Sequence, residues 1–193
     1  MKYLIVGLGN IGSEYTNTRH NIGFKILDAI AEASNIFFEH KRHGFISEYK
    51  FKTRTFILLK PTSYMNLSGK AVNYWLQKAK IDVNHMLILV DDLALPFGHL
   101  RMRTSGGDGG HNGLKHISQV LGHQNYARLR FGISSAFHVG NQVDYVLSPF
   151  TAKEEQLLPE RVETVKKLIE SFGTIGAERT MNIFNNSKPP DPK

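Results

Sequence analysis

Apolar residues recur along this chain with two different periods, and the alternation between them predicts an α/β fold. Short continuous apolar runs, which are typical of buried strands, occupy residues 3–6 and 86–90. Residues 22–33 and 69–79 instead repeat apolar side chains every three or four positions, as an amphipathic helix does. Strands and helices in this order indicate a mixed sheet with helices packed against it.

The same two periods predict the rest of the fold. They indicate a hairpin at residues 45–51 and 55–59, strands at 99–103 and 128–133, and helices at 114–121, 154–172 and 175–184. A chain of 193 residues suits one domain, since a domain of this size buries about 70% of the surface that its unfolded chain exposes. We therefore predict a single α/β domain with a twisted mixed sheet over residues 1–184. Residues 185–193 contain three prolines and no other apolar residue, which favours a flexible tail.

Composition narrows the possible functions. The chain has no cysteine, which excludes disulfides, thiolate metal sites and a cysteine nucleophile. It has 24 Lys and Arg against 17 Asp and Glu, and the net charge of +7 favours an anionic partner such as nucleic acid, although solubility alone would also account for it. The opening residues do not have the pattern of a signal peptide, and no segment approaches the ~18 apolar residues of a membrane span. We expect a cytoplasmic protein with no membrane partner.

Glycines crowd into residues 106–110, and His111 and Asn112 follow them directly before a predicted helix. Glycine is costly to order, so such a run indicates positive φ angles or close contact between backbone and a ligand. A helix that starts at Asn112 would direct its first amides into this loop, where an oxygen-rich substrate could bind. A tight loop in which Asn112 only caps the helix is the alternative.

Polar clusters also follow the predicted strands, where an α/β sheet usually builds its site. They occupy residues 7–21, 61–69 and 90–92. The first contains Gly7-Leu8-Gly9-Asn10-Ile11-Gly12, a pattern found in dinucleotide-binding proteins. In those proteins a helix begins at the glycines and receives the pyrophosphate, whereas residues 13–20 are polar without helical periodicity. We therefore reject a nicotinamide cofactor on this motif.

His20 and Asp91 are the candidate catalytic pair. A histidine has a pKa of about 6.5 and can act as a general base when a carboxylate orients its second nitrogen. Asp91 ends the strand predicted at 86–90, which could lie beside the first strand and so bring both residues to one sheet edge. A lone histidine before a helix is otherwise more often a hydrogen-bonded loop residue. Ser63 and Ser68 have the setting of turn and cap residues, which favours an activated water over an acyl-enzyme.

The spacing of the histidines does not indicate a metal site. His111 and His116 are five residues apart, which places them on different faces of a helix. His40 and His43 have Glu39 as their only acidic neighbour in sequence. We therefore predict no metal ligands.

Two predicted strands carry arginines with a period of two. Arg101 and Arg103 alternate with apolar residues in one strand, and Arg128 and Arg130 do so in the other. Two such basic faces could clamp phosphates, for which the planar guanidinium is suited. A solvated edge strand that carries charge to prevent pairing would show the same pattern.

Together these motifs resemble the bacterial peptidyl-tRNA hydrolase family along nearly the whole chain. Any one of them is moderate evidence, but their order is specific. The matching segments are residues 6–10, Tyr15, 19–21, Gly23, 60–69, 109–115, 128–133 and 144–150.

The resemblance implies a monomeric enzyme without metal or cofactor that hydrolyses the ester between a peptide and the 3′ end of tRNA, and so recycles stalled peptidyl-tRNA in the cytoplasm. By the family pattern, His20 would deprotonate a water molecule and Asp91 would hold and polarise His20. Asn10, Asn66 and Asn112 would hold the peptide and the ester carbonyl with side-chain amides, whose charge does not change with pH.

The resemblance also implies supporting residues. Tyr15 and Met65 would line the cleft, and His111 would shape the site, since a second base is not needed. Arg103 and Arg130 would grip the 5′-phosphate of the tRNA, as a clamp of positive charge.

The sequence departs from the family pattern at four positions. Asp92 stands where the family often has Glu. Ala94 stands where the family often has an acid, so it cannot supply one. Asp108 stands where a small or basic residue is usual, which could alter how the glycine-rich loop meets the tRNA end. Arg103 stands where a lysine is usual, which could change the geometry of phosphate contact.

Two functions of other kinds stay open on the sequence. A protein with the same fold could bind and sequester tRNA without turnover, although intact His20 and Asp91 argue for catalysis. A hydrolase of a different ester or amide would act without nucleic acid, and it would not need the paired basic strands.

Overall fold

Seven strands form one mixed sheet in the computed structural model of this chain, which describes residues 1–185. The strands are β1 (Lys2–Gly7), β2 (Glu39–Lys41), β3 (Gly44–Phe51), β4 (Arg54–Pro61), β5 (Met86–Asp92), β6 (Leu100–Arg103) and β7 (Ala127–Gly132). They lie in the order β2-β3-β4-β1-β5-β7-β6. The strands β4, β1, β5 and β7 are parallel, and antiparallel pairing adds β6 at one end and β3 with β2 at the other. The carboxyl ends of the parallel strands therefore meet at one edge of the sheet, where α/β proteins usually build their sites.

Helices cover both faces of this sheet. They are α1 (Ile22–Ala33), α2 (Ser68–Ala79), α3 (Asn112–Leu121), α4 (Gln142–Val146), α5 (Ala152–Ile175) and α6 (Ala177–Phe184). Because side chains alternate along a strand, Tyr3 and Ile5 of β1 pack with α1 and α5 in one core, whereas Leu4 and Val6 pack with α2 and α3 in the other. This double burial explains the continuous apolar run of the first strand. Within residues 1–185, no helix is long and apolar enough to cross a membrane.

The predicted fold class is confirmed. The helix predicted at 22–33 is α1, the predicted hairpin is the antiparallel pair β3 and β4, and β5 lies beside β1 as expected. The pattern of apolar residues did not predict β2 or α4. All three residues of β2 are exposed, and α4 is five residues long and buries none of them, so neither element has an apolar period.

Close packing between β1 and α1 explains a glycine of the first motif. A Cβ atom on Gly7 would lie 2.3 Å from the carbonyl oxygen of Gly23 in α1. Two 3₁₀ turns, Ser13–Tyr15 and Arg19–Asn21, separate the motif from α1, which begins only at Ile22. The glycine brings strand and helix together and does not open a helix onto a pyrophosphate, which supports the rejection of a dinucleotide site.

The residue after α6 is attached to the edge strand β6. The N–H of Met102 donates to Asn185 Oδ1 at 2.7 Å, and Asn185 Nδ2 donates to the Met102 carbonyl at 3.0 Å. The side-chain amide thereby satisfies one residue of the strand edge. Asn185 is the first residue of the predicted tail. The others, residues 186–193, lie outside the described residues, and the division into domain and tail stays a prediction.

We expect Gly7→Ala to destabilise the protein. The added methyl group would overlap the backbone of α1, and overpacking of this kind costs about 1–3 kcal/mol or more, because neither backbone moves aside easily. Gly107→Ala is the matched control, since a Cβ there would meet no heavy atom within 4 Å. Urea unfolding of both variants measures the difference. Equal stabilities would contradict the close packing at Gly7.

Candidate active site

His20 and Asp91 meet at the carboxyl edge of the sheet. Asp91 lies near the end of β5, and His20 lies in the 3₁₀ turn that precedes α1. His20 Nδ1 lies 2.9 Å from Asp91 Oδ1 and 3.0 Å from Oδ2, so it is within hydrogen-bond distance of both oxygens. Because a carboxylate only accepts, Nδ1 carries the proton, and Nε2 of the neutral ring is available as a base.

A second histidine, His111, shares the same carboxylate. Its Nε2 lies 2.9 Å from Asp91 Oδ1, and the ring centroids of the two histidines are 5.0 Å apart. His111 Nδ1 accepts hydrogen bonds from the backbone N–H groups of Gly113 and Leu114, at 3.2 and 3.4 Å. Because Nδ1 is an acceptor, the neutral ring carries its proton on Nε2 and donates it to Asp91. The first turn of α3 thus sets the tautomer of a residue in the site.

This arrangement corrects two expectations about the glycine-rich loop. The N-cap of α3 is His111 and not Asn112, which is the first residue of the helix. The helix amides of Gly113 and Leu114 do not face a substrate, since they donate to the ring of His111. An imidazole nitrogen replaces the usual side-chain oxygen at the cap, and the amide of Asn112 is released from that task.

Asp91 is a buried carboxylate, with 5% of its surface exposed. Burial alone would raise its pKa, but the charge and hydrogen bonds of His111 and His20 outweigh burial and hold the pKa of Asp91 far below its ordinary value. Asp91 is therefore ionised throughout the neutral range, and it accepts hydrogen bonds from both rings.

His20, Asp91 and His111 also have the composition of a metal site, since their ligand atoms all lie within 4.8 Å of one another. The distances, however, are those of direct hydrogen bonds. Each histidine nitrogen lies 2.9 Å from a carboxylate oxygen, whereas donors bound about 2.0–2.1 Å from one tetrahedral ion would be about 3.3 Å or more apart. The geometry therefore favours a hydrogen-bonded trio over a set of metal ligands.

Asn10 is fixed by two neighbours. Its N–H donates to Asn21 Oδ1 and its carbonyl accepts from Asn21 Nδ2, both at 2.9 Å. Its own Oδ1 accepts from the N–H of Met65 at 2.7 Å. With Oδ1 occupied, Nδ2 is the part of the side chain left to donate to a ligand. Sequence reasoning gave Asn21 no role, although it directly follows His20 in the first motif.

The site residues line a cleft of ≈ 590 Å³. The predicted residues found in its lining are Asn10, His20, Met65, Asn66, Asp91, His111, Asn112 and Arg130. Asn66 and Asn112 are exposed there, whereas Met65 is buried. Among the described residues, Tyr15 and Arg103 are not part of the lining. The ring of Tyr15 meets that of Tyr64 edge-on, with centroids 6.5 Å apart.

A further wall of the cleft comes from a segment that sequence reasoning did not assign to the site. The cleft is lined by Phe137 of the loop before α4, by Val143 and Val146 of α4, and by Leu147 directly after it. Their spacing is too short and irregular to stand out as an element. The match of residues 144–150 to the family pattern could have identified Val146 and Leu147, but no sequence signal marks Phe137 or Val143.

Arg19 ties this wall to the turn that holds His20. The buried guanidinium donates from Nη1 to both carboxylate oxygens of Glu154, at 2.9 and 2.8 Å, and its Cζ lies 4.6 Å from the centre of the Tyr145 ring. The N–H of Arg19 donates to the carbonyl of Ser148 at 3.0 Å. The residue next to His20 in the chain therefore anchors both α4 and the start of α5.

The two arginine-bearing strands differ in exposure. β6 is the edge strand, and it exposes Arg101 and Arg103. β7 is internal, and Arg128 is fully buried, with its guanidinium donating to the carbonyls of Gly106 and Gln124, both at 2.6 Å. The expectation of a second solvent-facing basic strand is therefore wrong at Arg128, which holds the glycine-rich loop instead.

Arg130 contacts both the loop and the cleft. Its Nη2 donates to the carbonyl of Gly107 at 2.8 Å, and its Nη1 lies 3.5 Å from Asp92 Oδ2. The side chain is half-buried and lines the cleft. One face of the guanidinium is thus committed to the protein, and Arg103 on the neighbouring strand is the more exposed cation.

A parallel sheet whose carboxyl edge holds ionisable groups in a cleft is the architecture of an α/β enzyme. Comparison with known proteins agrees. The sequence model of peptidyl-tRNA hydrolase matches residues 4–192. The chain is 57% identical to the peptidyl-tRNA hydrolase of Cytophaga hutchinsonii over 188 residues, covering 97% of this chain and 100% of the relative. It is 57% identical to that of Bacteroides fragilis over 185 residues, covering 96% and 99%.

A solved structure gives the same result. The crystal structure of peptidyl-tRNA hydrolase from Acinetobacter baumannii superposes with a TM-score of 0.89 at 33% identity, covering 97% of this chain and 96% of that one. The chain therefore belongs to the peptidyl-tRNA hydrolase family. The resemblance inferred from the motifs is confirmed, and with it the assignment of the chain to the hydrolases.

The lowered pKa of Asp91 predicts how stability depends on pH. The unfolded chain binds a proton at this carboxyl near its ordinary pKa of about 3.9, whereas the folded protein does not, so stability is lost as the pH falls below about 4. We expect Asp91→Asn to be less stable at neutral pH and to lose less stability on acidification. Urea midpoints measured from neutral pH into the acid range test this. Parallel curves for wild type and variant would contradict the lowered pKa.

Proposed function

We propose that the chain hydrolyses the ester between a peptide and the 3′ end of tRNA with a water molecule that His20 activates. The observation that carries this proposal is the pair of hydrogen bonds from His20 Nδ1 to Asp91, at 2.9 and 3.0 Å, in a cleft lined by side-chain amides. The pair leaves Nε2 as a base, and the cleft supplies neutral donors for a carbonyl. Membership of the family supplies the substrate class.

The reaction proceeds in two proton transfers. His20 Nε2 takes a proton from water, and the oxygen attacks the ester carbonyl to form a tetrahedral oxyanion. The ester bond then breaks, the peptide leaves as a carboxylic acid, and the imidazolium of His20 returns its proton to the 3′ oxygen of the ribose. Asp91 stabilises the imidazolium between these steps, because its negative charge faces Nδ1.

Neutral amides hold the carbonyl groups of the substrate. Asn10 donates from Nδ2, since its Oδ1 is occupied by Met65. Asn66 and Asn112, on two different helical segments of the cleft lining, hold the peptide and the developing oxyanion. Donors fixed before the reaction need no reorganisation when negative charge develops, which is the main way such sites lower a barrier.

His111 shapes the site and is not a second base. Its Nδ1 accepts from two helix amides and its Nε2 donates to Asp91, so both nitrogens are committed. Its effect on the reaction passes through Asp91, which it helps to hold ionised and in place.

The tRNA binds through the basic face of β6 and β7. Arg103 is exposed and Arg130 lies on the neighbouring strand with its side chain on the same face, so the two can grip the 5′-phosphate. The net charge of +7 favours the approach of tRNA. As the family pattern implies, we propose that the chain acts as a monomer in the cytoplasm.

We expect His20→Ala to lower kcat by about a hundredfold to ten-thousandfold, the range for loss of a general base, with little change in affinity for tRNA. Asp91→Asn should be milder. Cleavage of peptidyl-tRNA by the purified variants measures this, with His123→Ala, at an exposed histidine, as the control.

The same assay separates the alternatives. Retained turnover in His20→Ala would overturn activation of water by His20, and tRNA binding by the wild type without turnover would favour sequestration. A parallel series with a chelator should change nothing. Loss of wild-type activity in that series would contradict a reaction without metal.

We expect Arg103→Ala and Arg130→Ala to weaken the binding of full-length peptidyl-tRNA and to leave cleavage of a short peptidyl-nucleotide fragment unchanged. Phosphate contacts position the substrate and do not perform its chemistry. Loss of one phosphate contact should flatten the log-log salt dependence by about 0.7–0.9. Removal of the tRNA 5′-phosphate should mimic both variants and add little to them. Lys50→Ala is the matched control, since it removes an exposed cation from β3 at the other end of the sheet. If the affinity lost in a variant and the affinity lost on removal of the 5′-phosphate are fully additive, the two arginines do not contact that phosphate.

A further inference from the structure

A histidine outside the catalytic trio joins α3, which begins at Asn112, to α2, which follows the turn that holds Asn66. His116 lies in the middle of α3, and its Nδ1 accepts a hydrogen bond from the backbone N–H of Gly69 in the first turn of α2, at 2.9 Å. The first N–H groups of a helix have no partner within the helix. The ring of His116 therefore satisfies an amide of α2 from a different helix.

The two helices touch at this point. A Cβ on Gly69 would lie 2.7 Å from the carbonyl oxygen of His116 and 2.9 Å from Val120 Cγ2, so α3 packs directly against the backbone of α2. The hydrogen bond and the absence of a side chain at Gly69 act together. The hydrogen bond sets the register between the helices, and the glycine allows their close approach.

Neighbouring residues and hydrogen bonds connect this bond with Asn66 and Asn112 in the cleft. Gly69 follows Ser68, whose hydroxyl donates to the carbonyl of Met65 at 2.8 Å. Met65 begins the 3₁₀ turn Met65–Leu67, which holds Asn66, and its N–H binds Asn10 Oδ1. On the other helix, Asn112 is the first residue of α3, four positions before His116. The bond between His116 and Gly69 thus fixes the turn that carries one asparagine against the helix that carries the other.

We propose that His116 is a positioning residue, which in its neutral form holds Asn66 and Asn112 at the separation that the substrate requires and which releases them when its ring is protonated. The proposal rests on the roles given above to the two asparagines. A protonated ring has N–H groups on both nitrogens and cannot accept from Gly69.

The surroundings of His116 favour the neutral ring. Burial and the neighbouring charge of Lys70 in α2 lower the pKa of His116 from its ordinary value of 6.5. The other titratable groups of these two helices are Tyr74 and Lys78 of α2 and Lys115 of α3, and the turn Met65–Leu67 has none. Because the pKa is lowered, the ring stays neutral as the pH passes 6.5, and the hydrogen bond is lost only as the pH falls further, through the folded pKa.

Two variants separate the hydrogen bond from the bulk of the ring. His116→Asn keeps an acceptor, because Asn Oδ1 stands close to the position of the imidazole Nδ1, and it cannot be protonated in this range. His116→Leu keeps most of the volume and has no acceptor. His123→Asn is the matched control, since His123 Nδ1 also accepts a backbone amide, that of Asn125, but on an exposed turn outside the cleft.

The measurement is kcat/KM for peptidyl-tRNA between about pH 7.5 and 5, the range in which an imidazole titrates. Division of the wild-type value by that of His116→Asn at each pH cancels the contribution of His20. We expect this ratio to be near one at neutral pH and to fall about three- to tenfold on acidification, the effect of one lost hydrogen bond. His116→Leu should already be lower by about that factor at neutral pH. The ratio for His123→Asn should not depend on pH.

The outcomes distinguish failure of this proposal from failure of the proposed function. Asn66→Ala and Asn112→Ala are measured alongside, and unchanged kinetics in both would remove the roles on which the proposal rests. Impaired asparagine variants together with a constant ratio would overturn the role of His116 alone. If His116→Leu does not fold, the ratio for His116→Asn still decides the question.

Discussion

The buried carboxylate of Asp91 is the group on which the rest of the site depends. A charge with so little exposure needs donors close to it, and two imidazole N–H groups from distant parts of the chain provide them. His20 lies in the segment between β1 and α1, and His111 is the N-cap of α3. The strand order that sets β5 beside β1 is therefore a condition for the site, since it brings the carboxylate within reach of both rings.

His20 and Asn10 each use one polar atom for their own support and keep the other for the cleft. His20 gives Nδ1 to Asp91 and keeps Nε2, and Asn10 gives Oδ1 to Met65 and keeps Nδ2. This division fixes which atom faces the substrate before any substrate arrives. A site built in this way is preorganised, because a rotation of the ring or of the amide would break a bond to the protein.

Much of the fold and the central pair could be predicted from the sequence because both depend on local patterns. Apolar periods define β1 and α1, and the end of a strand marks Asp91. The trio could not be predicted in full, since no local pattern shows that the start of α3 lies beside the end of β5 and so brings His111 to Asp91. The burial of Arg128 was missed for a similar reason. Period two gives the face of a strand, but a loop from elsewhere decides whether that face meets water.

The contact between Gly7 and Gly23 has a consequence for the precision of the site. Most helices rest on a sheet through a layer of side chains, whose thickness changes whenever one of them is replaced. At this crossing the backbone of α1 lies directly on the backbone of β1. His20 stands three residues before that point, so its distance from the sheet is set by main-chain atoms that every sequence shares. Substitutions elsewhere in the core can repack a layer without moving the base.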